Sequence, residues 1–179
     1  MEISQFPAMS GISLTLSLNV SARSLNDLHF PDRFLILAHQ CGVMPQNIIL
    51  EITESGLIRE LSSALDILTR LRMKHFQLSI DDFGTGFAMM RQLRHVPATE
   101  LKIDQGFIRD IHLKKDARVL VQKIIEMGHD LGMKVIAEGV ENQEQLDFLR
   151  KNGCNLAQGY YFSRPLPLPD ILQWVETRS

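Results

Sequence analysis

Phe76-Gln77-Leu78-Ser79-Ile80-Asp81-Asp82-Phe83-Gly84-Thr85-Gly86 is the stretch from which the fold can be read. An apolar run too short for a helix, Phe76 to Ile80, runs into two adjacent carboxylates and then a glycine-rich turn. That pattern describes a buried strand that delivers its last side chains to a loop. The same unit recurs on either side: Leu14 to Asn19 (LTLSLN), Ile48 to Glu51 (IILE), Leu101 to Asp104 (LKID), Val135 to Glu138 (VIAE) and Leu156 to Gln158 (LAQ). Each run ends in an acid or amide, or carries a lysine within it. The markers Asn19, Glu51, Asp81, Lys102, Glu138 and Gln158 lie 20 to 36 residues apart, enough for one strand, one covering helix and two loops.

Helical spacing fills the intervals. A helix is expected over Phe34 to Gly42, and another over Leu61 to Met73 with apolar residues at 61, 64, 65, 68 and 71. A third should cover Ala117 to Leu131, with Val119, Leu120, Ile124, Met127 and Leu131 on one face and Gly132 just beyond its end. Gln143 to Lys151 and Asp170 to Glu176 complete the set, with no regular structure expected around Pro165, Pro167 and Pro169. A sixth strand is expected over Leu156 to Phe162. Alternating strands and helices imply a parallel sheet covered by helices. Six units are too few for an eight-stranded barrel, which takes about 250 residues. The alternatives are an open sheet or a TIM-like (β/α) barrel without its first two strands. Met1 to Phe6 reads as the end of a helix, with Ile3 and Phe6 at i, i+3, and the first strand follows with no earlier unit to pair against. The expectation is therefore an incomplete barrel of about six βα units, with residues 1–179 as one domain.

Composition narrows the function. A hydrophobic share of 45% suits a globular core, and a net charge of −2 gives no reason to expect a nucleic-acid polymer as partner. Cys41 and Cys154 lack zinc spacing and read as reduced thiols. No run approaches the roughly 20 apolar residues of a membrane span, and the N-terminus has no basic region before an apolar stretch. A cytoplasmic location is expected.

In a parallel α/β fold the strand C-termini converge on one rim. Carboxylates gathered there without a cation would repel strongly, so the pattern itself suggests a metal site. Asp81 and Asp82 could hold or bridge two divalent ions about 3.5–4 Å apart, an arrangement that clamps a phosphodiester. Glu51 and Asn19 follow apolar runs and offer hard oxygen donors suited to magnesium or manganese. Lys102, between Leu101 and Ile103, should face the barrel interior, as a buried salt bridge or as the group that orients a water. Glu54 reads either as part of a capping box with Thr53 and Ser55 or as a site residue. Glu138 and Glu141 flank Gly139-Val140, one as metal ligand or base and the other as a loop or substrate contact. The six histidines share no ligand spacing, and the Gly-x-Ser-x-Gly signature is absent. Metal-activated water is favoured over a covalent nucleophile.

The ordered motifs Asn19-Val20-Ser21-Ala22-Arg23, Leu50-Glu51-Ile52-Thr53-Glu54, Asp81-Asp82-Phe83-Gly84-Thr85-Gly86, Leu101-Lys102-Ile103-Asp104, Ala137-Glu138-Gly139-Val140-Glu141 and Gln158-Gly159-Tyr160 closely resemble the bacterial EAL-domain phosphodiesterases, from about residue 12 to 176. The resemblance implies a TIM-like barrel that hydrolyses cyclic di-GMP to pGpG with two Mg2+ or Mn2+ ions. By this resemblance Asn19, Glu51 and Asp81 hold the first ion. Asp81 bridges to the second, which Asp82 and Glu138 complete. Lys102 orients the hydrolytic water, Glu54 holds the Asp-Phe-Gly-Thr-Gly loop, and Glu141 and Gln158 contact substrate or the pocket wall. The Glu-Ala-Leu triplet that names the family does not occur here, so one metal-ligating glutamate of the family has no counterpart. Reduced or lost activity of this chain alone is the expectation. The alternative is a non-catalytic module that binds cyclic di-GMP or a protein. A homodimer through the open sheet edge, or a sensory domain in a longer parent, are the further partners considered.

Overall fold

The structure is a computed structural model that describes residues 14–176, apart from 60 and 86–89. The expected helix end at Met1 to Phe6 lies outside the described residues, as does Gly86 of the glycine-rich turn.

Six strands form one sheet: β1 (Leu16–Asn19), β2 (Ile48–Thr53), β3 (Gln77–Phe83), β4 (Glu100–Ile103), β5 (Lys134–Ala137) and β6 (Leu156–Ala157). They pair in the order β1-β2-β3-β4-β5-β6, every pair parallel. A doubly wound sheet would reverse its strand order at a switch point. Strictly sequential order instead winds the chain one way round, as in a (β/α) barrel, and six strands make an incomplete one.

The helices are α1 (Phe30–Gln40), α2 (Glu54–Arg59), α3 (Leu61–Met73), α4 (Met90–Leu93), α5 (Gln105–Asp110), α6 (Lys115–Asp130), α7 (Gln143–Lys151) and α8 (Leu168–Glu176). Successive strand residues point to opposite faces. Leu50 and Ile52, Leu78 and Ile80, Leu101 and Ile103, and Val135 and Ala137 form the buried layer beneath the helices. The intervening Glu51, Ser79, Asp81, Glu100 and Lys102 face inward.

Three sequence expectations change. The buried face of α6 is Ala117, Val121, Ile124, Ile125 and Gly128, whereas Val119, Leu120 and Leu131 are exposed. The face turns about Gly128, where the helix sits close to the sheet: a Cβ there would lie 2.4 Å from Val135 Cγ2. β6 ends at Ala157 rather than Phe162. The chain turns there because Gly159 packs onto the backbone of Val140, where a Cβ would meet its oxygen at 2.2 Å. Finally, α8 begins at Leu168, two residues before the expected start, and takes Pro169 into its first turn, where a missing N–H costs nothing.

Candidate functional site

The strand ends deliver their polar residues to one mouth. Lys102 is 5% exposed. Its Nζ lies 3.1 Å from Glu51 Oε1, 3.0 Å from Asp81 Oδ1 and 2.7 Å from Glu138 Oε1. One ammonium therefore ties together carboxylates from β2, β3 and the end of β5. Gln158, after β6, donates from Nε2 to Glu138 Oε1 at 2.6 Å. Asn19 is the Cα partner of Glu51 across β1 and β2, and is exposed at the rim.

Asp81 and Asp82 would point to opposite faces of a regular strand. Here the register slips between Ile80 and Phe83, and Asp82 takes a left-handed φ of 54°, a conformation that Asp tolerates better than most residues. This turn brings both aspartates to the mouth. Oxygens of Asp81, Asp82 and Glu138 come within 4.8 Å of one another.

The loop after β3 is held from below. Glu54, 1% exposed, accepts a hydrogen bond at Oε2 from the Gly84 N–H at 3.0 Å. Thr53 Oγ1 caps the start of α2 by accepting from Gly56 N, which leaves the Glu54 carboxylate for the loop. Gly84 itself sits at φ +102°, where a Cβ would strike Phe107 Cε2 at 2.6 Å. On the β5 side, a capping box between Asn142 and Gln145 starts α7, and the buried Gln145 amide donates to Ile108 O. This fixes the Glu138-to-Asn142 turn against α5, which Asp104 caps by accepting from Gly106 N.

Charge in the mouth is unbalanced. Burial works to lower the Lys102 pKa, but hydrogen bonds to Glu138 and Asp81 and the charges of Glu138 and Glu51 overcome it and raise it above the ordinary lysine value. Lys102 is thus a fixed cation. Burial pushes the Glu138 carboxyl up by more than its hydrogen bond and charge contact with Lys102 bring it down, and the charges of Asp81 and Glu51 add to the rise. Asp82 is raised by burial and by the charges of Asp81 and Asp104, against Lys102. Among the described residues these acids outnumber the one base in contact with them, which favours an added cation.

Beside Glu138 opens a cleft of about 570 Å3, lined among others by Gln105, Glu141, Gln158, Tyr160, Arg164 and Trp174. Glu141 is an exposed wall residue there, outside the ion-paired group. The Arg164 guanidinium lies 5.1 Å from the centre of the Tyr160 ring. Sequence reading missed Gln105, Arg164 and Trp174, whose neighbours carry no periodic signal, and the buried inner residues Ser79 and Glu100. No described helix is long and apolar enough to cross a membrane.

Sequential parallel strands and an acidic mouth organised by a buried lysine define an incomplete α/β barrel with its polar residues gathered at the strand ends. The EAL domain family model matches residues 2–165. The chain belongs to the EAL domain family. It is 42% identical over 162 residues to the cyclic di-GMP phosphodiesterase NbdA of Pseudomonas aeruginosa, covering 90% of this chain and 21% of that protein. Among solved structures, the PaMucR phosphodiesterase in complex with c-di-GMP has a TM-score of 0.83 at 36% identity, over 88% of this chain and 64% of that one. A manganese and cyclic di-GMP complex of Klebsiella pneumoniae BlrP1 has a TM-score of 0.80 at 30% identity, over 86% and 39%. The chain spans about a fifth of the length of the curated relatives it matches.

Proposed function

We propose that residues 1–179 form one domain that hydrolyses cyclic di-GMP to pGpG with the help of divalent cations. The observation that carries this reading is the Lys102 ammonium in contact with Glu51, Asp81 and Glu138 at one strand-end mouth. The residues fit divalent ions: the donors are all hard oxygens, three of them converge, and among the described residues the acids exceed the single base that touches them. Asn19, Glu51 and Asp81 would hold one ion, and Asp81, Asp82 and Glu138 a second. When bound, ions of the magnesium or manganese class supply an acidified water and neutralise charge on a phosphodiester.

The chain's own groups do the rest. Lys102 stays charged, so it is a donor rather than a base. Its ammonium, engaged by Glu51, Asp81 and Glu138, can turn an N–H to orient the attacking water once cations take over part of the charge of those carboxylates. Glu138, held by Lys102 and Gln158, is the carboxylate placed to accept the water's proton. Glu54 keeps the Asp82-to-Thr85 turn in position through the Gly84 N–H. The cleft beside Glu138 receives the guanine and ribose of the dinucleotide, with Glu141 and Gln158 on its wall. The relatives named for cyclic di-GMP support that substrate.

No Glu-Ala-Leu triplet contributes a further carboxylate, and losing even an outer partner of a metal ligand costs about 10–100-fold. The 179-residue chain is therefore expected to turn over weakly, and a version joined to a Glu-Ala-Leu-bearing strand fully. Chromatographic assay of pGpG with Mn2+ or EDTA, for both lengths and for Asp81→Asn, tests this. Undiminished hydrolysis in EDTA refutes the metal reading. Calorimetric binding of cyclic di-GMP without turnover in either length, and without metal dependence, replaces it with a non-catalytic binding module.

A further inference from the structure

Below the acidic mouth lies a second row of polar side chains. Glu51 and Ser79 are Cα partners across β2 and β3, and Ser79 and Glu100 across β3 and β4. Alternation puts Ser79 on the face of Asp81 and Glu100 on the face of Lys102. The contacts of Lys102 with Glu51 and Asp81 fix that face as the interior. Ser79 therefore sits between two carboxylates, deep in the sheet: Ser79 is 1% exposed and Glu100 6%. Yet Ser79 Oγ has no hydrogen-bond partner among the described protein groups.

A buried hydroxyl is ordinarily satisfied. The Lys102 ammonium is engaged by Glu51, Asp81 and Glu138, and Lys134, the Cα partner of Glu100 on β5, is exposed. Strands lie about 4.8 Å apart, a gap that one water can span with hydrogen bonds of about 2.8 Å. Such a water can accept from the Ser79 hydroxyl and donate one hydrogen to each flanking carboxylate. Three partners are typical of buried waters. Burial raises the Glu100 carboxyl, Lys134 opposes this, and Glu51 adds to it; protonated or not, that carboxyl keeps an acceptor for the water.

We propose that Ser79, Glu51 and Glu100 hold one buried water, and that this water positions the Glu51 carboxylate from beneath the mouth. The positioning half rests on the reading of Glu51 as a cation-holding residue. The water itself does not.

The test is Ser79→Ala, a change that removes one oxygen and little volume, measured in two ways. In metal-free thermal melts the variant should lose about 2–4 °C, the shift expected for one lost hydrogen bond in a domain of this size. A melting temperature equal to or above the unaltered chain's means the hydroxyl sat dry and unpaired, and overturns the water. In calorimetric titration with Mn2+ alone, the variant should bind about tenfold more weakly, as for loss of a ligand's supporting partner. A lower melting temperature with unchanged Mn2+ affinity keeps the water and overturns its positioning role. Neither measurement needs turnover. If the unaltered chain binds no Mn2+ at all, the reading of Glu51 fails while the melt still decides the water.

Discussion

Replacing Lys102 by methionine tests the electrostatic logic of the mouth most directly. Methionine keeps much of the volume and apolar stem but removes the one cation among the described residues that touches Glu51, Asp81 and Glu138, whose side chains are 11%, 14% and 16% exposed. Removing one partner of a buried ion pair leaves uncompensated charge and costs about 3–5 kcal/mol. In a domain of this length each kcal/mol is worth about 2–4 °C, so melting should fall by roughly 6–20 °C in metal-free buffer. The pH dependence has a definite sign. A lysine whose pKa is raised by folding contributes stability in full below its ordinary value of 10.5 and loses it only above the raised value. Its contribution is therefore complete at neutral pH. In the variant the Glu138 carboxyl, already raised by burial, loses the Lys102 contact that brings it down, and a group raised by folding loses stability as pH increases through its own value. The gap between the two proteins should widen from acid toward neutral pH. Mn2+ should recover more of the loss in Lys102→Met than it adds to the unaltered chain, because a ligand that binds only the folded state stabilises by mass action. Differential scanning calorimetry with and without Mn2+ measures all three. A variant that melts within a degree of the parent at neutral pH without metal refutes the claim that Lys102 neutralises the mouth.

Glu54→Ala removes the acceptor for the Gly84 N–H. A hydrogen bond to a charged group is worth about 1.5–3 kcal/mol, so melting should drop, and pGpG formation should fall further than the stability loss alone explains. Gly84→Ala forces a side chain into φ +102° against Phe107. Strain of about 1–3 kcal/mol should appear in urea denaturation, and a midpoint equal to the parent's would show that the turn is not held as described. Glu100 is raised by burial, so its stabilising contribution is present below the ordinary glutamate value of 4.5 and disappears as pH rises. Glu100→Gln should therefore gain stability relative to the parent as pH rises above the ordinary glutamate value of 4.5. A constant difference across that rise would place Glu100 in solvent.

The mouth was legible because a carboxylate directly after an apolar strand is visible without coordinates. Glu51, Asp81 and Glu138 follow such runs, and Lys102 interrupts one. The sequential strand order was not legible from periodicity, since alternating strands and helices fit a doubly wound sheet equally well. It needed registers such as Asn19 with Glu51 and Thr53 with Asp81. Asp82 was readable as chemistry but not as geometry: nothing in Asp-Asp announces a left-handed turn. The face of α6 was misassigned because Val119 and Leu120 outweigh Ala117 and Gly128 in any count of apolar residues, although close approach to Val135 puts Gly128 on the buried face beside Val121, Ile124 and Ile125. Ser79 stayed silent for a related reason, since a serine within an apolar strand carries no functional signal of its own. Its meaning comes from alternation, once Lys102 is known to point inward. Positions 79 and 81, and 100 and 102, must then share the interior, and a parallel sheet otherwise apolar on both faces acquires a polar row beneath its acidic rim. If the rim grips cations, the row beneath must be hydrogen-bonded too. A carboxylate such as Glu51 holds its direction only when its neighbours on both sides are fixed.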